Sequence, residues 1–182
     1  NEKFKFICYG TPFYENIGET PYGAHPDQNT PENWRIIADC GFNYAMPIND
    51  IKHEHIVTTL ERAQEVGMKV IIMDYLSTGL PQLIKRSENR SYNDTMALIK
   101  QSEDIFIQRY TEYAAYDSFA GIHVVDEPSM DAYDAISAGQ DWWYEHFPEY
   151  EYYSNLLPSY ASNLQLYGSA AGGDLKYTDY VD

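Results

Sequence analysis

Two acids stand where an apolar run stops: Phe119-Ala120-Gly121-Ile122-His123-Val124-Val125 is followed by Asp126-Glu127-Pro128. The run reads as a buried strand, Pro128 closes it because proline has no N–H for a ladder, and Ser129 is placed to cap a following helix. Ionised carboxylates are costly away from water unless paired, so this strand must end where the sheet opens to solvent or to a ligand. Carboxylates at a strand end suit proton transfer. The same two acids could equally cap the next helix or hold an arginine.

Two carboxyl groups that share acid and base work on one bond must flank it from two sides. Asp126 and Glu127 are adjacent, and adjacent strand residues point to opposite faces, so their carboxyl groups should diverge. Glu127 therefore needs a partner from another strand. Asp74, at the end of a predicted third strand, is the best placed within the chain, and Asp50 after the second is next. Asp74 has a competing reading as a helix cap or a structural ion pair. Tyr9, Tyr75, Asn155 and Tyr160 also fall at predicted strand ends. By strand alternation His123 shares a face with Val125 and Glu127, which makes it an inward-facing core or supporting residue. His25 lies in a loop that could reach the same mouth, whereas His53 and His55 precede a helix and are expected to be solvated. No histidine or cysteine set has metal-ligand spacing, and no metal or cofactor is expected.

The elements that must position these residues repeat. Lys5 to Thr11 reads as a first strand, and the polar, aromatic stretch from Pro12 to Asn29 as a long ordered loop. Thr30 looks like an N-cap with Pro31 at the first helical position, and Gly41 stops that helix before a second strand, Phe42 to Ile48. Ile56, Val57, Leu60 and Ala63 mark a helix that Gly67 ends, ahead of a third strand, Met68 to Asp74. A loop or short helix follows Ser77-Thr78-Gly79, and one long helical pattern runs from about Asn93 to Ala115. The fourth strand is the run above. Its helix carries Tyr133, Ile136, Trp143 and Phe147 and stops at Pro148. Glu151 to Leu157 is a fifth strand, and a last helix begins at Asp174 and is cut short, which suggests truncation at the C-terminus. Short Gly-ended αβ connections that alternate with longer βα loops are what a parallel sheet with crossover helices requires.

No Gly-x-Gly-x-x-Gly or Gly-x-x-x-x-Gly-Lys follows the first strand, which removes the main reason to expect an open nucleotide-binding sheet. The expected architecture is therefore α/β, a partial (β/α)8 barrel with about five βα units in one domain spanning 1–182. The chain has 182 residues, 44% of them hydrophobic and 22% charged, a composition able to bury a core. Twelve Lys and Arg against 28 Asp and Glu leave a net charge of −16, which disfavours nucleic acid and anionic membranes as partners. No run is apolar enough to span a membrane, and no basic, apolar leader opens the chain. Cys8 and Cys40 are read as two free thiols, with a disulfide as the alternative. Two Asn-x-Ser/Thr triplets, at Asn89 and Asn93, carry no weight.

With its fourth-strand ending the chain resembles the N-terminal portion of clan A retaining glycoside hydrolases, the (β/α)8 group that includes β-galactosidases and cellulases. Their acid/base glutamate closes the fourth strand, commonly as Asn-Glu-Pro, and Asp126-Glu127-Pro128 stands in that place. Tyr153-Ser154-Asn155-Leu156-Leu157-Pro158, and Pro31-Glu32-Asn33-Trp34 leading through Gly41-Phe42-Asn43, also look like bacterial members. The resemblance implies hydrolysis of a carbohydrate outside the cytoplasm, in a secreted or cell-surface protein, with Glu127 as general acid/base. Asp126, Asn155, Asp74, Tyr9, Tyr75 and Tyr160 would then line the sugar site. Asp126 replaces the family's asparagine, so it can accept a hydrogen bond from the substrate but not donate one. The family's nucleophile closes a seventh strand that this chain does not reach, so a missing C-terminal part is an expected partner. A chitinase-like barrel is excluded, because it needs aspartates where Val125 and His123 stand. A non-catalytic, carbohydrate-binding or pseudo-enzyme barrel fragment is the alternative.

Overall fold

The computed structural model describes residues 4–12, 27–47, 52–75, 79–86 and 88–173. Five strands, β1 (Ile7–Tyr9), β2 (Tyr44–Met46), β3 (Lys69–Ile72), β4 (Phe119–Asp126) and β5 (Glu151–Asn155), pair in sequence order. Every pairing is parallel. The sheet curls into a half-barrel whose strands alternate with helices. At its N-terminal end Lys5, just before β1, forms an ion pair with Glu151 at the start of β5. The two edge strands are thus drawn toward one another.

The helices form where the sequence supplies caps. In α1 (Pro31–Asp39) the Thr30 side chain accepts the Asn33 N–H at 3.2 Å and Pro31 opens the first turn. Gly41 follows with φ 91°, and Gly67, with φ 71°, follows α2 (His53–Glu65). The single helix expected over 93–115 is two, α3 (Tyr92–Gln101) and α4 (Glu103–Ala114), broken at Ser102. A continuous helix would carry the buried stripe from Ile99 through position 103 to Phe106, and position 103 is a glutamate. The break puts Glu103 in the acidic first turn of α4, where a carboxylate is favoured. There it accepts from Trp142 Nε1 at 2.9 Å and from Lys100 Nζ at 2.6 Å.

After β4 a 3-10 turn, Met130–Ala132, leads into α5 (Tyr133–His146). The Ser129 side chain does not cap it, contrary to expectation. Strand five ends at Asn155, two residues early, and a short helix α6 (Asn163–Tyr167) follows. The expected helix from Asp174, Asp50, His25 and most of the loop after Pro12 lie outside the described residues.

The main core fills the space between sheet and helices, with Trp34, Leu60, Phe106, Tyr110, Trp142 and Trp143 all buried. Burying one such side chain stabilises by roughly 2–3 kcal/mol. A smaller layer, Met46, Ile71 and Met73 with Tyr75, Ala120 and Tyr153 against it, covers the opposite, concave face of the sheet.

Strand four departs from simple alternation twice. Val70 pairs with Phe119 but Ile71 with Gly121, so Ala120 is an extra residue on that side. His123 pairs with Tyr153 but Val125 with Ser154, so Val124 is an extra residue on the other. Gly121 permits the close approach, since a Cβ there would lie 2.2 Å from the Glu151 carbonyl oxygen. Each bulge resets which side chains face which way. As a result Val124 and Val125 both face the helical core, while His123 and Asp126 share the concave face. The expected grouping of His123 with Val125 fails for this reason.

Candidate active site at the end of the fourth strand

At the C-terminal edge of the sheet the last rung is the Glu127 N–H donating to the Asn155 carbonyl at 3.0 Å. Glu127 then turns the chain with φ 46°, the one positive φ recorded for a non-glycine residue among the described residues. A side chain with a Cβ costs roughly 1–2 kcal/mol there. Arg86, in the loop after β3, holds the turn. Its Nε–H donates to the Glu127 carbonyl at 2.8 Å and its guanidinium reaches Glu127 Oε2 at 3.1 Å. The Arg86 carbonyl in turn accepts the Ser129 N–H at 3.0 Å. Both side chains of the pair remain substantially exposed, 49% for Arg86 and 37% for Glu127, so the charge contact itself is worth only about 0.2–1 kcal/mol.

Asp126 and Glu127 are held by different partners. Asp126 Oδ1 accepts the Asn155 side-chain N–H at 2.7 Å, and Asn155 Oδ1 lies 2.8 Å from His123 Nε2. His123 Nδ1 lies 3.1 Å from the Tyr75 hydroxyl. One direction of donation satisfies every atom. An ionised carboxylate only accepts, so Asn155 turns its NH2 to Asp126 and its oxygen to His123. His123 must then carry its proton on Nε2, which leaves Nδ1 to accept from Tyr75. Burial, foremost, holds the His123 pKa below its ordinary 6.5, against opposing contributions from the Asn155 hydrogen bond and the Asp126 charge. Burial first, then the Asp126 charge and Tyr9, push the Tyr75 phenol up to about 12. Neutral imidazole and protonated phenol are the forms this chain of hydrogen bonds requires.

Tyr9 stands at the same mouth, about half exposed. Its pKa is raised first by partial burial and then by the charges of Asp126 and Glu127, with Tyr153 adding to them. Tyr153 itself packs against the His123 ring, 5.7 Å between centroids. The geometry therefore brings together Glu127, Asp126, Asn155, Tyr9 and Tyr75.

Asp74 and Tyr160 do not join this group. Asp74 is fully buried on the helical side, 3.8 Å from Arg109 of α4 and close enough to Tyr110 and Tyr113 to raise both phenols, after burial. That is the structural ion pair, and a carboxylate so enclosed has no face for a sugar. Tyr160 projects from the turn after β5 with 89% of its surface exposed. None of the hydrogen bonds or ring contacts of the cluster involves it.

His53 and His55 begin α2 and are half-buried instead of solvated. The His53 ring nitrogens lie 3.0 Å from the Tyr113 hydroxyl and 3.0 Å from Glu112 Oε1. Cys8 and Cys40 are free thiols, and burial, then Cys40, raises the Cys8 pKa. Among the described residues no group of three His, Cys, Asp or Glu could hold a metal ion, and no helix is long and apolar enough to cross a membrane.

Arg86 and Tyr153 are absent from the sequence-derived site. Arg86 sits in a stretch with no periodicity, and the only signal toward it is the general need of strand-end acids for a cation. Tyr153 follows only from knowing the register of β4 against β5.

Taken together the elements define an α/β protein with a curled parallel sheet and an acidic, tyrosine-walled mouth at the strands' C-terminal edge. No family model matches the chain, and no curated protein matches it.

Proposed function

We propose that this chain is the N-terminal part of a (β/α)8 retaining glycoside hydrolase, in which Glu127 is the general acid/base. The observation that supports this best is the position of Glu127. It closes β4 at the C-terminal edge of a parallel sheet, the edge on which α/β barrels carry their chemistry. In this reading Glu127 protonates the glycosidic oxygen as the bond breaks and then takes a proton from the attacking water. Asp126, held by Asn155, accepts a hydrogen bond from a hydroxyl of the reacting sugar. Tyr9 and Tyr75 offer ring faces and hydroxyls, which suit the mixed surface of a pyranose.

The second carboxyl group must stand about 5 Å from the first. Asp126 is tied to Asn155 and Asp74 is enclosed, so in this reading the nucleophile comes from outside the described residues. The substrate is a carbohydrate, no cofactor is required, and the protein acts outside the cytoplasm.

The Arg86–Glu127 contact favours a second reading, a carbohydrate-binding fold without catalysis, because it occupies a carboxylate oxygen that a proton donor needs. Turnover separates the two. Against a panel of neutral aryl and natural glycosides the complete protein should show hydrolysis with retained configuration. Glu127→Gln should slow natural substrates by about a hundredfold or more. Binding of carbohydrate with no hydrolysis by the wild type supports the second reading instead.

A further inference from the structure

His123 is fully buried behind the mouth and meets no ligand itself. What it holds is at the mouth. Tyr75, three residues past β3, His123 in β4 and Asn155 at the end of β5 form a belt of hydrogen bonds across three strands, and the belt returns to β4 at Asp126. The register shift at Val124 permits that return, because residues three apart on a regular strand face opposite ways.

Such a belt can run in two polarities. With the proton on Nε2, His123 donates to the Asn155 oxygen, and Asn155 turns its NH2 to Asp126. With the proton on Nδ1 instead, Nε2 accepts, so Asn155 would turn its NH2 to the ring and its oxygen to Asp126. Two acceptors would then face each other at 2.7 Å with no proton between them. The charge on Asp126 therefore selects the first polarity, and in that polarity the imidazole fixes the Asn155 amide. A carboxamide held at one end can turn over or swing aside. Held at both ends, it is a strut against which the carboxylate rests.

The ring has little freedom of its own. Tyr75 meets it edge-on, with 6.5 Å between centroids and planes at 86°, and Tyr153 packs 5.7 Å away. Turning the ring over would put carbon atoms where both nitrogens make their hydrogen bonds, and the Tyr75 hydroxyl and the Asn155 oxygen would lose their partners.

We propose that His123 is a positioning residue: acting through Asn155 it aims Asp126 at the ligand, and Tyr75 holds its ring for that task. What Asp126 does to a ligand rests on the glycosidase reading, whereas the strut itself does not.

The first test needs no ligand. In the complete protein labelled with 15N-histidine, at about pH 8, above the ordinary imidazole pKa, His123 should be in the Nε2–H tautomer. In Asp126→Asn, whose amide can donate as well as accept, the Nδ1–H tautomer should become populated. A histidine that merely packs would keep its tautomer. The second test uses an aryl glycoside that the wild type cleaves. His123→Leu should lower kcat/KM about tenfold or more, whereas His123→Gln, which keeps an N–H for Asn155, should stay within about threefold of the wild type. In an Asp126→Ala background His123→Leu should add less than about a twofold loss, because no carboxylate is left to aim. The Nδ1–H tautomer in the wild type, an unchanged tautomer in Asp126→Asn, no loss in His123→Leu, or a loss of the same size with and without Asp126 overturns the proposal. If the wild type cleaves no glycoside, the catalytic reading falls and the tautomers alone decide the strut.

Discussion

Arg86 grips Glu127 at two points, its Nε–H on the main-chain carbonyl at 2.8 Å and its guanidinium on Oε2 at 3.1 Å. The grip falls on a residue with φ 46°. A left-handed glutamate is a conformation that its surroundings must impose, and such residues gather at functional sites. The main-chain contact fixes the turn, and the side-chain contact aims the carboxylate.

If Glu127 is strained, glycine should suit the position better than alanine. Both substitutions remove the Arg86 charge contact, so their difference isolates the backbone. Glu127→Gly should be more stable than Glu127→Ala by about 1 kcal/mol, read from urea unfolding. Equal stability, or a more stable alanine variant, means the turn carries no strain.

His123 makes stability depend on pH in a stated direction. Its folded pKa lies below the ordinary 6.5, so between the two values the unfolded chain binds more protons than the folded one. Stability should therefore be full above about pH 7 and fall as the pH drops through 6.5 toward the folded pKa. Tyr75, Asn155, Asp126 and Tyr153 face the ring. His55, lowered by burial and then by Lys52, acts in the same sense. His123→Gln should flatten the slope in this window without abolishing it, as measured by urea midpoints at successive pH values. An unchanged slope contradicts the assignment.

Asp74 tests the division between fold and site. Its carboxylate is buried against Arg109, and removing one member of a buried pair leaves the other uncompensated. Asp74→Ala should cost about 3 kcal/mol in unfolding free energy. Carbohydrate binding by the folded fraction should not change, because Asp74 is not at the mouth. A variant of normal stability that loses binding would return Asp74 to the site.

The repeating pattern of the chain was readable because its signals are local. Thr30 before Pro31 starts a helix, and Gly41 and Gly67 supply the positive φ that leads from helix to strand. The strand end at Asp126 and Glu127, and with it Tyr9, Tyr75 and Asn155, follows from the same punctuation. What could not be read depends on contacts between distant elements. The bulges at Ala120 and Val124 arise from register against β3 and β5, and they bring Asp126 onto the face of His123. Asp74 looks like any strand-end acid until Arg109 is seen behind it. The long helix divides at Ser102 because Glu103 answers Trp142, a residue 39 positions away. Arg86 has no pattern around it, and only the folded chain brings it to Glu127.

The most direct test of the central claim is chemical rescue of Glu127→Ala in the complete protein. An acid/base residue is dispensable for forming the glycosyl-enzyme when the leaving group is good, but needed to activate water in the second step. With an activated aryl glycoside that the wild type cleaves, the variant should be slow, and added azide should restore turnover and yield the glycosyl azide of retained configuration. A variant as fast as the wild type, or one that azide does not rescue, contradicts the assignment of Glu127.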